Sequence, residues 1–92
     1  MILRILQNKK FQSQMKKIKL IWDFKGLDAH KIAAHHEIHL KDYIKMKHTD
    51  LNITGIEQLS DLHSLAYMVV NESEMKPIRD DLKPHRGQLW QS

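Results

Sequence analysis

"ITGIEQLSDLHSLAYMVV", Ile53 to Val70, reads as two strands joined by a tight turn. Ile53 to Leu59 forms the first strand, with Gly55 expected as a bulge or twist point. Ser60 and Asp61 supply turn residues. From His63 the chain alternates. His63, Leu65, Tyr67 and Val69 point one way, and Ser64, Ala66, Met68 and Val70 point the other. Both sets are largely apolar towards the end. That predicts a strand covered on both faces, and so a central one.

Upstream of the hairpin, "LDAHKIAAHHEIHLKDYIKMKH" (Leu27 to His48) has helical spacing. Ala29, Ile32, Ala33, His36, Leu40, Tyr43 and Ile44 fall on one face at about 100° per residue. Asp28 is placed to cap the first turn, because its carboxylate accepts from free amides there. Leu27 and Ile32 have the spacing of a hydrophobic staple. Further upstream, "KKIKLIWDFKG" (Lys16 to Gly26) alternates with period two. Ile18, Leu20, Trp22 and Phe24 share one face; Lys17, Lys19, Ile21 and Asp23 share the other.

Downstream, "NESEMKPIRDDLKPHRG" (Asn71 to Gly87) predicts a short helix. Ser73 is its expected cap, Met75, Ile78 and Leu82 recur at helical spacing, and Pro77 is tolerated near the first turn. "RGQLWQS" follows as a last short strand carrying Leu89 and Trp90. The order β-α-β-β-α-β is the split-βαβ pattern of the ferredoxin-like α+β fold, a four-stranded antiparallel sheet with two helices on one face. The other sheet face is left for a partner, and a homodimer through that face is the expected arrangement.

With this strand, helix, hairpin and "MKPIRDDLKPHRG" segment, Met15 to Ser92 resembles the dimeric α/β-barrel superfamily of small ferredoxin-like proteins. It is similar in particular to small bacterial members without assigned function, with a start of the form Met-Lys-x-hydrophobic-Trp-x-Phe. The resemblance implies a pocket between sheet and helices, or inside the barrel that two copies form. The superfamily includes monooxygenases and isomerases, and no short signature here carries over a catalytic residue from any of them.

Composition bounds the function classes. The chain has 92 residues, enough for one domain. It has no cysteine, which excludes disulfides, thiolate nucleophiles and iron–sulfur clusters. The net charge is +4, but residues 1–14 hold Arg4, Lys9 and Lys10 and no acid. The rest holds twelve basic and eleven acidic residues. A nucleic-acid binder concentrates basic side chains on a folded surface, so none is expected as partner. Residues 1–14 are expected to be an extension, disordered or upstream of a true start at Met15; residues 15–92 are the domain. No apolar run of about 18 residues predicts a membrane span. A cytoplasmic location is expected.

Four of the seven histidines lie in "HKIAAHHEIHL", His30 to Leu40. Helical periodicity separates them. His35 and His39 are four apart and share an edge, with Asp42 three further on. Two imidazoles and a carboxylate on successive turns suit a divalent metal, against a solvated helix edge. His36 faces the core. It is either a satisfied core histidine, bonded to Tyr67 or a backbone carbonyl, or a base in a pocket. Asp23 is a second catalytic candidate; facing a barrel interior it could orient a histidine. His63 has the same ambiguity. Lys83, His85 and Arg86 form a basic cluster suited to an anion or to a solvated helix end. The expected function is therefore small-organic-ligand binding in a pocket between sheet and helices, lined by Trp22, Asp23, His36, Tyr67 and His63, with no cofactor. The alternatives are a cofactor-free monooxygenase or isomerase using a histidine base, and a metal module using His35, His39 and Asp42.

Overall fold

A computed structural model describes residues 16–91. The expected N-terminal extension, residues 1–14, lies outside this range. In chain order the elements are β1 (Lys17–Lys25), α1 (Ala29–Lys47), β2 (Ile53–Ser60), β3 (His63–Asn71), a 3-10 turn (Glu72–Glu74), α2 (Met75–Leu82) and β4 (Arg86–Leu89). The sheet order is β2-β3-β1-β4. Every neighbouring pair is antiparallel. This is the ferredoxin-like βαββαβ arrangement, with β3 central as its two apolar faces require.

Alternation along β1 and β3 sorts the side chains. Leu20 and Trp22 of β1 and Ala66, Met68 and Val70 of β3 form one cluster with Ala33, Leu40 and Ile44 of α1 and Ile78 of α2. Both helices therefore pack on the same sheet face. Trp22 is buried, and its Nε1 donates to the Leu82 carbonyl at 2.9 Å. That bond satisfies an indole donor and a carbonyl near the end of α2, which would otherwise be costly orphans. Tyr43 links the helices by donating to Asp81 Oδ2 at 2.7 Å. Burial and the Asp81 carboxylate push its pKa up to about 12.

Ile32 is 46% exposed and Leu27 is 90% exposed, so no staple forms. The buried stripe of α1 is Ala29, Ala33, Leu40 and Ile44. Ile32 lies on the shoulder of that stripe. Asp28 occupies the N-cap position, but its side chain makes no capping bond. The helix ends at His48 in the left-handed region (φ 54°), whose N–H donates to the Ile44 carbonyl. Ser73 lies in the 3-10 turn, and Glu74 precedes α2 instead.

The hairpin turn falls on Asp61 and Leu62, one residue later than expected. Ser60 stays in β2, and its Oγ accepts from Leu62 N at 3.3 Å. The irregularity in register lies between Gln58 and Ser60. Gly55 pairs regularly with Tyr67. Its lack of a side chain serves another purpose: a Cβ there would overlap the Tyr67 ring. The last strand stops at Leu89, and Trp90 continues its line by donating from N to the Lys17 carbonyl at 2.9 Å.

Candidate functional site

The sheet plane divides the expected site residues. Trp22 and His36 lie on the helix side; Asp23, His63 and Tyr67 lie on the other. A bond between His36 and Tyr67 is thus ruled out by strand alternation.

On the side away from the helices, Asp23 is the hub. In the register it sits opposite Leu65, and His63 stands two residues along, opposite Lys25. Asp23 and His63 are therefore diagonal neighbours on one face. Their separation is 2.9 Å from Oδ1 to Nε2. β4 pairs Arg86 with Ile21, which sets the guanidinium beside Asp23 from the opposite flank. Arg86 Nε donates to Oδ2 at 2.8 Å and Nη2 donates to Oδ1 at 3.1 Å. This is the two-pronged guanidinium–carboxylate geometry that holds orientation as well as charge. The Asp23 backbone N–H is also engaged, donating to His85 Nδ1 at 2.9 Å. His85 in turn donates from its own N to the Ile21 carbonyl.

The electrostatics follow. The hydrogen bonds from Arg86, with a smaller contribution from His63, hold the Asp23 carboxyl far below the ordinary carboxylate range, against the opposing effect of burial. Its bond to Asp23 raises the pKa of Arg86. An ionised carboxylate can only accept. His63 Nε2 therefore carries the proton in that bond, and in the neutral ring Nδ1 keeps a free lone pair. The arrangement can bind a hydrogen-bond donor at Nδ1 or take a proton there. It also clamps β1, β3 and β4 together.

The same face carries a second group. Lys19 Nζ is 2.7 Å from Glu57 Oε1 and 4.4 Å from the centroid of the Tyr67 ring. Trp90 stacks on Tyr67, with centroids 5.9 Å apart and planes 29° from parallel. Lys19 is 9% exposed, low for a lysine, and the carboxylate and ring face compensate its charge. Ile21, Leu65 and Val69 on this face are buried.

On the helix side, the His36 ring lies 5.0 Å from Trp22 and 5.4 Å from Phe24, measured between centroids. Its Nε2 is enclosed with no hydrogen-bond partner among the described residues. Neither the satisfied core histidine nor a base facing an open pocket describes it. Burial lowers its pKa, and the neighbouring His39, His85 and His35 lower it further. His36 packs as an aromatic ring against Trp22 and Phe24. Trp22 has its polar atom committed to Leu82 and is core as well.

His35 and His39 do come together. Their Nε2 atoms are 3.0 Å apart and both residues are exposed. Among the described residues no group of three histidine, aspartate or glutamate side chains forms a metal site, so Asp42 does not complete one. The expected basic cluster disperses: Lys83 Nζ donates to the Asp80 carbonyl, and His85 and Arg86 both turn to Asp23. The sequence candidates do not include Lys19, Glu57 or Trp90, and they place Arg86 only in the basic cluster and not beside Asp23. The alternation Arg86, Gln88, Trp90 is the signal that would have put Arg86 and Trp90 on one face.

Among the described residues no helix is long and apolar enough to cross a membrane. No family model, no curated protein and no solved structure matches this chain.

Proposed function

We propose that the chain binds a small organic ligand on the sheet face opposite the helices, in a chamber closed by a second copy of the chain. The observation that carries this reading is the Asp23 carboxylate held between His63 and Arg86 on that face. The space between sheet and helices is a less suitable place, because Trp22, Leu40, Met68 and Val70 fill it. Both helices lie on one side, so a partner copy is the economical cover for the other.

The residues also indicate ligand chemistry. Arg86 and Lys19 are already matched by Asp23 and Glu57. A neutral ligand fits this face better than an anion. Tyr67 and Trp90 offer aromatic surface, and His63 Nδ1 offers an acceptor, so a hydroxylated aromatic is the favoured class. A second reading rests on the same dyad: His63, oriented by Asp23, takes a proton from such a hydroxyl as a base, in a cofactor-free reaction.

The test is amide and ring NMR with 2-naphthol, and with naphthalene as the analogue lacking the donor. The expected result is shifts at His63, Leu65 and Tyr67 that are larger for 2-naphthol and shrink in His63→Phe. Shifts confined to the helix side, or none at millimolar probe, would overturn the reading. Sedimentation velocity at micromolar chain reads the dimer, and a monomer throughout removes the closed chamber.

A further inference from the structure

The outward edge of α1 carries a second chemistry, separate from the Asp23 face. His35 and His39 are one helical turn apart, and their Nε2 atoms approach to 3.0 Å. The rings stand nearly perpendicular, with centroids 4.7 Å apart and planes at 80°. One of the two nitrogens holds a proton and the other accepts it. We infer that His35 and His39 form a bidentate site for a borderline divalent transition-metal ion, which takes the place of that shared proton.

The geometry supports this directly. Imidazole nitrogen binds such ions at about 2.0–2.1 Å. Two nitrogens 3.0 Å apart then subtend about 94° at the ion, close to adjacent positions of a tetragonal or octahedral centre. A tetrahedral centre needs the nitrogens about 3.3 Å apart by the same arithmetic. Ni2+ and Cu2+, which favour the squarer geometry and rank high in affinity for nitrogen donors, are the ions this bite selects.

The proton balance is simple. Each neutral ring keeps one proton; the one lying between the two Nε2 atoms moves to Nδ1 of its own ring, and both Nε2 lone pairs face the ion. Both side chains are exposed, so water fills the remaining positions of the ion. The backbone of α1 sets the spacing, and the pair is therefore preorganised wherever the helix is formed.

Titration of tag-free protein with Ni2+ at pH 7.5, followed by calorimetry and by paramagnetic broadening of the histidine ring resonances, tests the site. The expected result is one ion per chain, broadening centred on His35 and His39, and an affinity at least tenfold weaker in His35→Ala and in His39→Ala. His30→Ala and His48→Ala, on other exposed histidines, should change affinity less than twofold. Circular dichroism checks that all four variants keep α1, as expected from substitutions at exposed helix or cap positions. If His35→Ala and His39→Ala bind Ni2+ as tightly as the parent, or His30→Ala and His48→Ala weaken it equally, the site does not exist.

Discussion

Arg86 reaches across from β4 to grip Asp23 with two nitrogens, at 2.8 and 3.1 Å, while His63 holds the same carboxylate at 2.9 Å. Three of the four strands are tied through one side chain that is 18% exposed.

Asp23→Asn should therefore destabilise the fold by about 1–2 kcal/mol at neutral pH, the range for charge-assisted bonds at a partly solvated site. The sign of the pH dependence is set by the lowered pKa. Folding favours the ionised form, so the contribution is complete above the ordinary value of 3.8 and is lost as pH falls below it. The gap between the urea midpoints of parent and variant should be full at pH 7 and narrower at pH 2.5, without closing, because the folded carboxyl still holds its charge there. An equal gap at both values would show that Asp23 acts by shape alone.

His36→Leu should stabilise the protein by about 1 kcal/mol, because it removes an enclosed nitrogen that has no partner. The parent should also lose stability on acidification. Its folded pKa lies below the ordinary 6.5, so the unfolded chain binds the proton more readily. The loss begins as pH falls through 6.5 and continues until the folded ring protonates. Melting temperatures from pH 7.5 to 5.0 should drop more steeply for the parent than for His36→Leu.

Gly55→Ala places a methyl group where the Tyr67 ring lies, and should cost about 1–3 kcal/mol by overpacking. Truncating the ring removes the conflict. In a double-mutant cycle, Gly55→Ala should cost much less in a Tyr67→Ala background. Additive effects would mean that the glycine serves the strand backbone and not the ring.

Trp22→Phe keeps an aromatic core residue but deletes the bond to the Leu82 carbonyl. A loss of about 1–2 kcal/mol is expected. Amide exchange should rise first in α2, whose last turn that indole holds. Uniform acceleration across all elements would instead indicate a general packing loss.

The architecture was legible because the alternation of Ile18, Leu20, Trp22 and Phe24 and of the two faces of β3 is strict. Period two survives burial, and it sorted every residue of those strands correctly. The helix was less legible. Ile32 and Ala33 are adjacent, and hydropathy favours Ile32 as the inward residue, yet the rotation of α1 buries Ala33 and leaves Ile32 exposed. Close approach of helix to sheet selects the small side chain. For the site, Asp23 and His63 were visible as residues but not as partners, since their contact depends on the β1–β3 register. Arg86 was read with its sequence neighbours Lys83 and His85. Its true partner lies 63 residues away and is fixed by a four-residue strand. Register between distant strands is a tertiary property, and local pattern does not encode it.

The two tryptophans occupy opposite sides of the sheet, Trp22 against the helices and Trp90 against Tyr67. The chain thus carries a pair of built-in optical reporters with separate fields of view. Emission from Trp22 is expected to report on the His36 ring 5.0 Å away, and emission from Trp90 on the Tyr67 ring stacked against it. Replacing one indole at a time divides the fluorescence of a single small domain into an inner channel and an outer one.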